Sequence, residues 1–163
     1  MLDVDGVLTD GRILVNADGS QSVSFYVRDG AGIKHLQHSG ITVALLSGRN
    51  IPAVGHRARD LGITEILQGN LAKVLPWEDL LRRHRLSEAQ AAFMGDDLTD
   101  IPLMLRAGWS AAPADAADEA RKAAAFVTRA PGGRGAVREV AEKILKAQGK
   151  WAAICESFGL GKK

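Results

Sequence analysis

The chain opens MLDVDGVLTDG, residues 1 to 11, and the fold turns on what Asp3, Asp5 and Asp10 do so close to its start. Two readings compete: a calcium loop, or an acidic catalytic centre at the end of a first strand. An EF-hand loop needs oxygen ligands at positions 1, 3 and 5, Gly at 6 and Glu at 12. Counting from Asp3 puts Val7, Leu8 and Leu14 at the last three of these, and counting from Asp5 puts Val7, Thr9 and Asn16 at the third, fifth and twelfth. The calcium-loop reading fails on both counts. In the other reading, residues 1 to 4 form a buried strand, and Asp3 and Asp5 lean to one side of its carboxyl end before Gly6 turns the chain. Two carboxylates there make a hard-cation site suited to magnesium, which takes oxygen ligands and lets a substrate phosphate complete its shell. On this stretch alone, a pair that merely caps a loop explains the residues equally well.

A second acidic group decides between them. GDDLTD at 95 to 100 follows the apolar run AAFM, so Asp96 and Asp97 also stand at the carboxyl end of a strand, where a crevice opens in doubly wound sheets. Four or more carboxylates then converge, which is costly unless a cation or a bound proton compensates. Asp100 fits this group, and fits equally a charge at a helix N-terminus.

The remainder of the chain agrees with such an architecture. Apolar strand-like runs at 1 to 4, 41 to 47, 65 to 69, 91 to 96, 109 to 113 and 126 to 129 alternate with amphipathic segments, the pattern of an α/β doubly wound parallel sheet in one domain spanning 1 to 163. Gly40 and Gly62 read as helix C-terminal caps, and Ser87 with Gln90 as a capping box. Residues 12 to 26, RILVNADGSQSVSFY, break the pattern and read as a small hairpin about Asp18-Gly19. The C-terminal stretch begins helical and is interrupted at Gly149, Gly159 and Gly161, so its last dozen residues are expected to be mobile.

Composition narrows the function classes. A chain with 46% apolar and 25% charged residues is globular rather than disordered. The net charge of +2, with no dense basic run, gives no reason to expect nucleic acid. Cys155 is the sole cysteine, which excludes an internal disulfide and a cysteine zinc site. The acidic start lacks the form of an export signal, and the apolar segment ITVALL at 41 to 46 is far too short for a membrane helix, so a cytoplasmic protein without membrane contact is expected.

Two more residues complete a phosphate site. Ser47, in LLSGRN, ends a strand where a hydroxyl and neighbouring amides meet an anion, and Lys73 lies just past the strand EILQG, where an ammonium balances carboxylates and a phosphoryl oxygen. Alone, each is an ordinary residue. Their order carries more: D-x-D-G-V-x-T at 3 to 9, S-G-R at 47 to 49, Lys73, and G-D-D-x-x-D at 95 to 100 resemble the four motifs of haloacid dehalogenase-like phosphatases. FYVRDGAGIKHL at 25 to 36, LGI and QG within 61 to 69, and GGRGAVREV at 132 to 140 extend the resemblance to those members that act on 3-deoxy-D-manno-octulosonate 8-phosphate, an activity of lipopolysaccharide biosynthesis.

The resemblance implies roles residue by residue. Asp3 is expected to be the nucleophile that forms an aspartyl-phosphate, and Asp5 the acid and then the base. Asp3, the main-chain carbonyl of Asp5, and Asp96 are expected to hold Mg2+, with Asp97 and Asp100 orienting metal waters or Lys73. Ser47 and Lys73 are expected to hold the phosphoryl oxygens. The sugar acid is expected to lie against Tyr26, Val27, Arg28, Asp29 and Gly30, with Asp5, Lys34, Arg49, Arg57 and Lys73 also in contact with it. Guanidinium groups there suit a substrate carboxylate. The histidines His35, His38, His56 and His84 fall in no ligand pattern.

Members of this kind lack a large cap domain and assemble as homotetramers through the hairpin, with the glycine-rich C-terminal segment reaching a neighbour's site. Arg134 is then a candidate contact in trans. Such relatives carry several apolar residues before the first aspartate, whereas Met1 and Leu2 alone precede Asp3. The first strand is therefore expected to be short, by an upstream start or a clipped strand. Other readings stay open: a phosphatase for a nine-carbon sialic-type acid 9-phosphate, a non-catalytic tetramerisation domain of the kind attached to sugar nucleotidyltransferases, and a receiver domain. Retention of Asp3 and Asp5 weighs against the scaffold, and the D-x-D spacing against the receiver.

Overall fold

A computed structural model describes residues 1 to 160. Its centre is a parallel sheet whose strands are β3 (Ala44–Leu46), β4 (Glu65–Leu67), β5 (Ala92–Met94), β6 (Trp109–Ala112) and β7 (Phe126–Val127). β3 pairs with β4, and β5, β6 and β7 pair in that order. Leu2 joins the two halves by bridging Leu45 on one side and Met94 on the other. Leu2 N–H donates to the Ala44 carbonyl at 2.9 Å, and Asp3 N–H donates to the Met94 carbonyl at 2.9 Å. The first strand is thus a single rung. It stops because the chain turns at once: the N–H groups of Val7, Leu8 and Thr9 all donate to the Val4 carbonyl.

The other strands are also shorter than the apolar runs that encode them, but their alternation is intact. Leu45, Met94 and Ala111 face one core, while their neighbours Leu46, Phe93 and Ala112 face the other. The first core is closed by α1 (Val27–His38), α2 (Pro52–Leu61) and α6 (Ala136–Ala147), through Ile33, Val54, Ala58, Val137 and Leu145. The second is closed by α3 (Val74–His84), α4 (Ile101–Arg106) and α5 (Asp118–Ala123), where Trp77 meets Phe93 edge to face. Helices on both faces of a parallel sheet make the doubly wound α/β fold read from the sequence.

Helix ends follow the expected chemistry. Gly62 takes the left-handed conformation after α2, and Ser87 and Gln90 form a capping box on the 3-10 turn Glu88–Gln90. β1 (Leu14–Val15) and β2 (Gln21–Ser22) form the hairpin as a separate antiparallel pair, closed by Asn16 N–H donating to the Ser20 carbonyl at 2.8 Å. Beyond Gly149, the segment expected to be mobile instead forms α7 (Trp151–Ser157), and Trp151 and Ile154 pack against the first core. Gly161 lies outside the described residues. Among the described residues, no helix is long and apolar enough to cross a membrane.

Candidate active site

Each acidic motif leaves the sheet at its carboxyl edge. Asp3 follows the central rung, Asp96 and Asp97 follow β5, Ser47 follows β3, and Lys73 precedes α3 after β4. Lys73 is buried between two buried carboxylates, donating to Asp3 Oδ1 at 2.7 Å and to Asp100 Oδ1 at 2.6 Å. Oxygens of Asp3, Asp96 and Asp100 lie within 4.8 Å of one another. Asp100 turns its second oxygen to the N–H groups of Asp96 at 3.0 Å and Asp97 at 3.3 Å, so one side chain orients both Lys73 and the turn after β5. A cavity of about 140 Å³ opens over this group, lined by Asp3, Asp5, Lys73, Asp96, Asp97 and Asp100 together with Gly48, Leu71 and Thr99.

Three carboxylates crowd a place where one ammonium bonds only two of them, and the electrostatics show it. Burial and then the Asp100 charge push Asp3 up to about 6, against the pull of Lys73. Burial, Asp3 and Asp100 push Asp96 up to about 8. For Lys73, burial acts downward, but Asp3 and Asp100 outweigh it and hold its ammonium above the ordinary value. A carboxyl group raised in the folded state binds a proton there that the unfolded chain has already lost, so stability falls as pH rises through that interval. Chelator-treated protein is therefore expected to unfold at progressively lower temperature from about pH 4 to about pH 8. A divalent cation should flatten that slope. Thermal unfolding across this range tests it, and stability that rises with pH would contradict the assignment.

Close packing fixes the loop that carries Asp3 and Asp5. Gly6 has φ +83°, and a Cβ on it would overlap the Asp96 carboxylate. Gly132 presses on the other side, where a Cβ would overlap the Gly6 carbonyl oxygen. Gly133 N–H donates to the Val7 carbonyl at 2.9 Å, and Gly132 N–H donates to Asp115 Oδ1 at 2.8 Å. The fully buried Thr9 hydroxyl accepts from the Gly11 N–H at 3.2 Å and donates to the Val4 carbonyl at 3.3 Å. Thr9 and Gly132 thus brace Asp3 and Asp5 from behind, although neither carries a charge that would mark it in the sequence.

The remaining site candidates spread over a wider rim. Arg49 donates from Nη1 to Asp5 Oδ1 at 3.1 Å, and its N–H donates to the buried Ser47 hydroxyl oxygen at 3.1 Å. Asp97 accepts from Leu98 N–H at 2.7 Å and caps its 3-10 turn. Arg57 lies over the Phe25 ring and against Gly30, where its guanidinium leaves no room for a side chain. Tyr26 starts α1, Val27 and Arg28 are exposed on its first turn, and Lys34 is half-buried beside Gly62. Asp29 turns inward: it is buried, and accepts from Gly135 N–H at 3.1 Å and Arg138 N–H at 2.8 Å, capping the start of α6. Arg134 lies 3.8 Å from Asp10 of its own chain. Leu71, three-quarters exposed against Gly48 at the cavity mouth, went unread in the sequence because one apolar residue in a loop carries no periodic signal.

Comparison with known proteins agrees with this geometry. Residues 60 to 139 match the family described as haloacid dehalogenase-like hydrolase. The chain is 45% identical over 150 residues to the 3-deoxy-D-manno-octulosonate 8-phosphate phosphatase KdsC of Escherichia coli, covering 92% of this chain and 80% of that one. The chain belongs to the 3-deoxy-D-manno-octulosonate 8-phosphate phosphatase family. A phosphatase of this family from Moraxella catarrhalis, whose crystal structure is a complex with magnesium ion, phosphate ion and KDO, superposes with a TM-score of 0.94 at 38% identity, over 96% of this chain and 90% of that one. The cobalt-bound phosphatase of Haemophilus influenzae superposes with a TM-score of 0.88 at 44% identity, over 91% of this chain and 87% of that one. A phosphatase of this family without a large cap is what the strand order, the single hairpin insertion and the acidic edge of the sheet describe.

Proposed function

We propose that this chain hydrolyses 3-deoxy-D-manno-octulosonate 8-phosphate to the free sugar acid and phosphate, with Mg2+, as a step of lipopolysaccharide biosynthesis. The observation that carries this reading is the convergence of Asp3, Asp96 and Asp100 about Lys73 at the carboxyl edge of the sheet. An all-carboxylate donor set fits a hard divalent cation and no soft one. Asp3, Asp96 and the Asp5 carbonyl would hold it, with Asp97 and Asp100 behind them. When bound, the ion neutralises charge on the transferring phosphoryl oxygens.

The protein's own groups then divide the work. The Asp3 carboxylate attacks phosphorus, the bond from phosphorus to the sugar oxygen breaks, and Asp5 gives its proton to the departing alkoxide. Asp5 next takes a proton from water, whose oxygen attacks phosphorus and releases phosphate and free Asp3. Lys73 and Ser47 hold the phosphoryl oxygens in line, so positioning and fixed charge carry most of the rate. Tyr26, Val27, Arg28, Lys34, Arg49 and Arg57 receive the sugar acid, the guanidiniums meeting its carboxylate, while Asp29 is turned away from it. Asp29 serves this face through the α6 cap it makes.

The same reading places one domain per chain, in the cytoplasm, within a homotetramer. Ile13, Leu14 and Val15 on the hairpin are 46, 63 and 63% exposed, an apolar edge that supports pairing between subunits, with Arg134 reaching a neighbouring site. Phosphate release from the eight-carbon substrate is expected to need Mg2+, to stop with a chelator, and to exceed release from a nine-carbon sialic-type 9-phosphate. Faster turnover of the nine-carbon ester would overturn the substrate assignment, and metal-independent release the site assignment.

A further inference from the structure

Among the described residues, Arg49 is the one rim cation that bonds both the catalytic loop and the hairpin. Nη1 donates to Asp5, and Nη2 donates to Oε1 of Gln21, the first residue of β2, at 2.5 Å. Its side chain is 30% exposed and rotatable along its whole length, so a single anchor would leave the guanidinium spread over several positions. Two acceptors on two different nitrogens fix the plane of the fork. The two acceptors differ in kind. Asp5 draws Arg49 toward the acid of the reaction, whereas Gln21 is a neutral amide that holds the guanidinium without cancelling its charge. The hairpin closes on itself through Asn16, Asp18, Ser20 and Ser22, so the Gln21 side chain is left to face Arg49.

We propose that Gln21 is a specificity-determining positioning residue, holding the Arg49 guanidinium on the hairpin side of the site where it meets the carboxylate of the sugar acid. This rests on the proposed substrate, whose carboxylate Arg49 receives. The residue acts through Arg49, so its effect lies in selectivity for an acidic substrate over a phosphate ester without a carboxylate.

The test compares kcat/KM for 3-deoxy-D-manno-octulosonate 8-phosphate with kcat/KM for p-nitrophenyl phosphate, in the Mg2+-loaded protein and in Gln21→Ala, Ser22→Ala and Arg49→Ala. Gln21→Ala is expected to lower that ratio by about threefold to tenfold, the scale of one ordinary intramolecular hydrogen bond, mainly through KM of the sugar acid. Ser22→Ala perturbs the hairpin without touching Arg49 and is expected to keep the ratio. A ratio lowered by Arg49→Ala but kept by Gln21→Ala overturns the role of Gln21 and leaves the substrate reading standing. A ratio kept by both overturns the carboxylate contact itself and the inference with it. Equal losses in Gln21→Ala and Ser22→Ala assign the effect to hairpin order, and also overturn it.

Discussion

Asp3→Asn is expected to lower phosphate release by about 10⁴-fold or more, the scale seen when a nucleophile is removed and binding alone remains. The amide keeps the shape of the carboxylate but cannot attack phosphorus. The variant should fold, because Lys73 keeps Asp100 as a counter-ion at 2.6 Å and the Asp3 N–H still pairs with Met94. Single-turnover phosphate release, with unfolding temperature as the control, measures this. A folded variant within tenfold of the parent would remove Asp3 from the reaction.

Lys73→Ala is expected to damage both chemistry and stability. Removing the ammonium leaves Asp3 and Asp100 buried with no cation between them, a change that costs about 3 to 5 kcal/mol when one partner of a buried pair is lost. Turnover should fall about 10²-fold to 10³-fold, as when a fixed positive charge on the transferring group is deleted. The stability loss should depend on pH. Without the pull of Lys73 the Asp3 carboxyl rises further, so the deficit is small where Asp3 is protonated and grows toward alkaline pH. Unfolding in chelator at about pH 5 and pH 8 separates this from a packing defect, which would cost the same at both.

Much of this site was legible because its chemistry recurs at short spacing. Asp3 with Asp5, and Asp96 with Asp97 and Asp100, sit next to apolar runs, so period and punctuation placed them at strand ends before any contact was known. The hairpin about Asp18-Gly19 and the Ser87 capping box were readable for the same local reason. Strand length was not, since a run such as ITVALLS carries no mark of where pairing stops, and β3 covers only Ala44–Leu46. Nor were contacts between distant residues. Asp29 reads as one more polar residue of a rim segment, yet its partners Gly135 and Arg138 lie more than 100 positions away. The helix α7 was hidden by the glycines around it and is held by Trp151 packing on the core, which local propensity does not register.

The central rung has a consequence for how the protein is born. Leu2 is flanked by strands that the ribosome delivers more than 40 and more than 90 residues later, and the brace at Gly132 and Gly133 comes later still. A nascent chain that has emerged only to residue 90 carries Asp3 and Lys73 but neither Met94 to pair with Asp3 nor Asp100 to complete the acidic group. Because such sequence-distant contacts form slowly and together, residues 2 to 6 wait for partners that leave the ribosome long after them. The acidic group is therefore braced only after residue 133 has emerged, and a translation arrested before that point leaves an acidic strand end without its partners.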